Sequence, residues 1–246
     1  MNPALTRKQA RRLLGWIMVL LLVSLSLGNV LSQSQPAGPN IISQTTETAT
    51  PNAALNITTA GGTITTMVLN GTTQNPHWKA YVGNVTGRLV LQDGANYSIY
   101  NWQLTNPSGE VYASRNNTVN WTSIRCANST QIATEETNMN HTASAVDSIA
   151  NTFTDSTHQE FWTGGTQFTA NECGFTTATY VNNTNQSELF QEIALYDGSS
   201  IVYATIIDPN TAGFDYGRYD FQLIVPEKGW EGPTSSTPYY FWVELV

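Results

Sequence analysis

What this 246-residue sequence most lacks is basic charge beyond its first twelve residues. Arg7, Lys8, Arg11 and Arg12 come first, and only Lys79, Arg88, Arg115, Arg125, Arg218 and Lys228 come after them, against eighteen acids that all lie after residue 32, a net of −12. Phosphate binding needs clustered basic surface, so nucleic acid is excluded as a partner. Cysteine is nearly absent too: Cys126 and Cys173 are the whole complement. Two thiols without histidines at ligand spacing close no zinc shell. In an exported chain an even pair reads first as one disulfide, with free thiols or a metal as the alternatives. Histidine occurs three times, at His77, His141 and His158, each among Asn, Thr and Pro rather than beside a nucleophile, and all three read as solvated surface. There is no G-x-S-x-G and no H-E-x-x-H, so the common hydrolase and metalloprotease signatures are missing.

Long apolar runs are also scarce, and the single one, within residues 13–32, comes directly after the basic stub 1–12. Positive charge before such a segment keeps the N-terminus inside and sends the C-terminal remainder of the chain across the membrane. Its length falls between a signal-peptide core and a full span, so a retained signal-anchor and a cut after Ser32 are both open. What is abundant is the Asn-x-Ser/Thr acceptor: Asn56, Asn70, Asn84, Asn96, Asn116, Asn120, Asn128, Asn140, Asn182 and Asn185 all lie beyond that segment. The expected location is the cell surface with the C-terminal domain outside, or the medium if the segment is cleaved.

Residues 33–62 are rich in Ser, Thr, Asn, Gln and Pro with almost no charge, and read as a disordered stalk. A competing reading makes this arm a strand donor to a neighbour's sheet. From 63 to 246 the texture becomes short β-branched and aromatic runs between turn residues, which predicts a mainly β domain, a β-sandwich. The predicted strands are Thr63–Leu69, Lys79–Leu91, Tyr97–Leu104, Val111–Ser114, Phe175–Val181, Leu189–Tyr196, Ile201–Ile207, Tyr219–Val225 and Tyr239–Leu245. Hairpins are predicted at TNPSGEVY, between Gln103 and Val111, and at Asp197-Gly198. The recurrence of Ile132, Met139, Val146 and Phe153 predicts one inserted amphipathic helix over about 130–152, capped by Ser129 or Thr130, with Glu135 and Glu136 in its first turns.

The stretches WKAYVGNVTGRLVLQ, IYNWQLTNPSGEVYASR, WTSIRCA, YDFQLIVPE and YYFWVELV resemble exported surface proteins of archaea, from families with an N-terminal anchor and many glycan acceptors. The resemblance spans roughly residues 77–246. It implies location and source and carries no assigned activity. No type-IV-pilin processing motif precedes the apolar segment.

Candidate sites are few. Asp208, Asn210 and Asp215 in DPNTAGFD place hard oxygens around a glycine turn, at a spacing that is not an EF-hand's; ordinary turn chemistry is the first reading and calcium the second. No other cofactor is implied. Among the tryptophans, Trp102 and Trp242 sit in alternating strands and are expected in the core, whereas Trp162 and Trp230 sit beside glycines in expected loops and are the candidate ligand-binding residues. The expectation is a non-enzymatic glycoprotein, structural or adhesive, contacting the membrane through its N-terminal segment and other copies or surface glycans through its domain. Alternatives are a filament or lattice subunit using N-terminal strand exchange, and a carbohydrate-active enzyme with an unrecognised carboxylate pair.

Overall fold

Three runs, GEVYAS, QEIALY and IVYATI, are apolar almost without alternation, and strands that read this way are buried on both faces. A computed structural model bears this out; it describes residues 35–229 and 236–246, so the stub 1–12, the apolar segment 13–32 and Trp230 lie outside the described residues. In chain order the elements are β1 (Trp78–Gly83), β2 (Arg88–Gln92), β3 (Ser98–Gln103), β4 (Gly109–Ser114), β5 (Arg125–Cys126), α1 (Ser129–Asn138), the helical turn α2 (Ile149–Thr152), β6 (Phe161–Thr163) and β7 (Thr166–Phe168). Next come β8 (Thr176–Ala178), β9 (Gln191–Tyr196), β10 (Ile201–Ile206), β11 (Thr211–Ala212), β12 (Arg218–Tyr219), β13 (Phe221–Pro226) and β14 (Tyr240–Leu245). The protein is mainly β, with several sheets. Among the described residues no helix is long and apolar enough to cross a membrane.

The central antiparallel sheet runs β14–β4–β10–β9, and β5 and β8 share the far edge of β9. Strand alternation sends Ala113, Ala194, Ile201 and Tyr203 to one face, where Leu223 and Val225 of β13, Ile132 and Met139 of the α1 region, and Phe153 cover them. It sends Tyr112, Ile193, Leu195, Val202 and Ala204 to the other, beneath Trp121, Phe161, Phe168 and Cys173. The β1–β13 ribbon has a spare edge on the first face, and side chains of the sheet satisfy it: Glu192 accepts from the Ile224 amide at 2.8 Å and the Thr205 hydroxyl donates to the Gln222 carbonyl at 2.8 Å. The disulfide Cys126–Cys173, Cα atoms 5.2 Å apart, ties β5 to the chain just before β8. It clamps the two short strands that divide the β9 edge between them.

Several expectations are corrected. Helix 130–152 is broken, because Asn140 enters the left-handed region (φ 57°) and the chain closes a Schellman turn, with Asn140 N–H donating to Thr137 O and His141 N–H to Glu136 O. Its cap is Asn128, whose Oδ1 accepts from the Thr130 and Gln131 amides while Gln131 Oε1 accepts from the Asn128 amide. Glu135 and Glu136 therefore fall in the C-terminal half of α1, buried. Glu135 holds Arg115 in a two-pronged pair and Glu136 accepts from the Ala150 amide. The Asp197-Gly198 hairpin joins β9 to β10 as expected, its turn held by Asp197 Oδ1 accepting from the Ser199 and Ser200 amides. TNPSGEVY makes no hairpin, since β3 pairs with β2 while β4 pairs with β10 and β14. Conversely, FWTGGTQF is a tight hairpin, β6–β7, with positive φ at both Gly164 and Gly165 as a type I′ turn demands.

The N-terminal region departs most. Thr63–Leu69 forms no strand: residues 38–75 are exposed and carry no strand or helix, with one turn at Gly61–Gly62, because β-branched propensity has effect only where an edge offers a partner. Pro36 is buried, and Ala37 pairs with Val243 on the open edge of β14 through amide–carbonyl bonds of 3.1 and 2.9 Å. The exposed segment is a loop tied to the domain at both ends.

Candidate functional site

Acids that interrupt apolar strand runs are the chemical feature of this fold. Glu110 on β4 lies directly across from Glu244 on β14, and both side chains are buried. Between them stands the buried Tyr112, whose hydroxyl donates to Glu244 Oε2 at 3.0 Å and lies 3.4 Å from Glu110 Oε2 and 3.1 Å from Thr163 Oγ1. Glu244 Oε2 also accepts from the Gly164 amide at 2.9 Å. Burial, then the neighbouring Glu244, pushes the Glu110 carboxyl up to about 8, and burial raises Glu244 as well. Like charges so close cannot both persist, so at neutral pH the pair keeps at least the Glu110 proton. Glu192, fully buried on β9, is likewise raised well above the carboxylate range by burial. This is the acid pair on which a glycosidase reading would have to rest, yet it lies closed beneath the β6–β7 hairpin, with 4% and 2% of the two residues exposed.

A second cluster gathers on the first face of the sheet. His77 Nδ1 donates to Asp147 Oδ2 at 2.9 Å, which also accepts from Asn75 Nδ2 at 3.0 Å, and the His77 hydrogen bond is the main cause that lowers the Asp147 carboxyl. The His141 ring lies 4.9 Å from that of His77, and its Nε2 donates to the Glu227 carbonyl at 2.8 Å. Burial alone would raise the Glu227 carboxyl; the Lys79 ammonium and Thr237 hydroxyl bonded to it bring it down to about 2. Gly229 (φ 87°) is required here, since a Cβ would fall 2.8 Å from the His77 ring. The histidines are thus not solvated surface. His158 is buried outright, Nε2 accepting from the Cys173 amide at 2.9 Å and Nδ1 donating to the Gln159 carbonyl at 2.7 Å, which specifies the neutral ring and supports the disulfide loop.

The residues singled out from sequence scatter. Trp162 is in strand β6, half-buried, with its carbonyl 3.3 Å from the Tyr112 hydroxyl; it is not a loop residue. Trp242 is half-buried, edge-on to Trp121, whereas Trp102, expected in the core, is exposed. Asp208 Oδ2 accepts from the Phe190 amide, the Asn210 amide donates to Asp220, and Asp215 accepts from the Gly217 amide and the Tyr219 hydroxyl, so these oxygens hold turns. Among the described residues no three His, Cys, Asp or Glu side chains converge as metal ligands.

The ten acceptor asparagines share one property: each lies in a connection or at a helix boundary, none within a strand, and eight are exposed, with Asn116 and Asn182 half-buried. Asn128 and Asn140 bracket α1. Capping by Asn128 uses Oδ1, whereas an N-linked sugar takes Nδ2, so the two roles are compatible. No protein-family model, curated protein or solved structure matches the chain.

Proposed function

We propose that this chain is an exported cell-surface glycoprotein of archaeal type, a structural or adhesive module rather than an enzyme. The central sheet, roofed by the β1–β13 ribbon and α1 on one side and by the β6–β7 hairpin on the other, is read as an elaborated β-sandwich held outside the membrane. One observation carries the proposal: the placement of every Asn-x-Ser/Thr acceptor on connections, eight of them exposed, where sugar coats the domain without disturbing a strand. The test is removal of sugar from the native surface protein. Intact cells whose chain is deglycosylated should lose surface retention or adhesion, whereas glycan-independent turnover of a polysaccharide, abolished by Glu110→Gln, would replace this reading with the enzymatic one.

A filament or lattice subunit is the second reading, and Ala37 supports it. The arm already occupies the open β14 edge of its own domain, so exchange with a neighbour would trade one identical pairing for another.

A further inference from the structure

The β2–β3 ribbon is amphipathic, and its apolar face has no cover. Its register pairs Leu89 with Trp102 and Leu91 with Tyr100, which places these four on one face, while Arg88, Gln92, Asn101 and Gln103 take the other along with Val90. Alternation this regular belongs to a strand pair with one buried face, yet Leu91 is 57% exposed, Tyr100 59% and Trp102 51%. A two-stranded ribbon alone is marginal in water. The base of this one is fixed, because Leu104 N–H donates to Gly87 O and the Gly87 backbone lies against the Leu245 side chain, where a Cβ would collide at 2.1 Å. The position is held, and the apolar face is presented outward.

We infer that this face is the contact between two copies of the chain, each ribbon covering the other's across a two-fold axis. Size supports it: with Tyr97 beside the bulged end, the exposed apolar side chains of this face present on the order of 600–700 Å², counting roughly 150–250 Å² for each whole aromatic. A lone soluble domain rarely leaves so much apolar surface open. It is also about what one partner contributes to a standard protein interface. Charge supports it, since the domain is strongly acidic and two copies repel, whereas the ribbon with its tip carries only Arg88 and Asp93 and is neutral. Sugar supports it, since Asn84 precedes the ribbon and Asn96 sits at its tip, leaving both strands free of acceptors. The same tip, with Asp93 and Asn96, disfavours insertion into lipid, and one arginine gives little hold on anionic headgroups. The loop 38–75 leaves the face open, its own Ile64 and Val68 being 98% exposed. An isologous contact closes at two copies, and it holds whether or not the module is adhesive.

The test is photo-cross-linking of the full-length chain in its native membrane, with p-benzoylphenylalanine in place of Tyr100. The expected product has twice the glycosylated mass of the 27.0 kDa chain and contains both of two differently tagged copies. The double variant Leu91→Ser, Trp102→Ser, with its disulfide intact, should reduce that product at least about ten-fold, as loss of central apolar anchors does. The same probe at Asn101, on the opposite face, should give little of it. A lipid adduct, an adduct of other mass, a cross-link within one chain, equal yield from Asn101, or no product at all would overturn the inference.

Discussion

Replacing Glu110 by Gln should make the protein more stable in alkaline solution and leave it nearly unchanged in acid. In the unfolded chain this carboxyl titrates near 4.5, and in the fold at about 8. Its folded value is raised, so below about pH 4.5 it is protonated in both states and contributes no pH dependence. Between the two values the unfolded chain gives up the proton and the fold keeps it. Stability therefore falls as pH rises, by on the order of 4 kcal/mol once pH 8 is reached. That is a large part of the roughly 5–15 kcal/mol that holds a domain together. Gln is isosteric and does not ionise, so the variant escapes this loss, and Glu244, raised in the same sense, leaves a smaller residual slope. The assay is denaturant unfolding of the purified full-length chain and its Glu110→Gln variant at pH 5, 7 and 9, followed by tryptophan fluorescence. The two should lie within about 1 kcal/mol of each other at pH 5 and part progressively, reaching about 5 kcal/mol in unfolding free energy at pH 9. Titrations of groups remote from Glu110 are common to both proteins and cancel in the difference; Glu244, which faces it, is the exception. Parallel curves from pH 5 to 9 would refute the buried, protonated pair.

Reduction of Cys126–Cys173, which encloses 47 residues, should cost about 4 kcal/mol through the freed unfolded chain; an unchanged melting temperature under reductant would contradict that. Asn128→Ala should cost about 1 kcal/mol while Asn128→Asp, which keeps a capping oxygen, costs far less, so equal losses would assign the effect to the missing sugar rather than the cap. Site-resolved glycan mass spectrometry should find Asn182 the least occupied acceptor, since its Oδ1 is buried, and full occupancy there with Asn128 bare would be the contrary result. Arg115→Ala should destabilise by roughly 3–5 kcal/mol because Glu135 is left buried without its partner, and Arg115→Ala with Glu135→Gln should recover part of that; identical unfolding of the single and double variants would argue against the pair.

How much of the fold and the site is legible in the sequence depends on what each residue's role rests on. The central strands are readable because apolar runs such as IVYATI depend on burial alone, and Asp197-Gly198 fixes its turn locally. Helix α1 reads too long because Met139, Val146 and Phe153 keep a helical period by coincidence, while the Schellman turn at Asn140 is a backbone event with only one asparagine to announce it. Trp102 reads as core because alternation tells which residues share a face and not whether anything covers that face. The GG dipeptide after Phe161-Trp162-Thr163 is a readable hairpin signal. The Glu110–Glu244 pairing is half readable, since an acid inside an apolar strand is a warning, but 134 positions of sequence hide that the two strands are neighbours. His77 and Asp147 meet for reasons of topology that no spacing records.

The loop between Ala37 and Trp78 gives the domain a mechanical property. A force applied to the chain on the N-terminal side of residue 35 reaches the fold first at the Ala37–Val243 bridge, two hydrogen bonds on the rim of the sheet. Once they part, residues 38–74 can straighten to span roughly 120 Å before tension arrives at the Asn75–Asp147 hydrogen bond and then at β1, which is paired along its whole length with β13. The arm is short while the bridge holds and long once it parts, and the β14 rim is free to pair with it again when the pull ends.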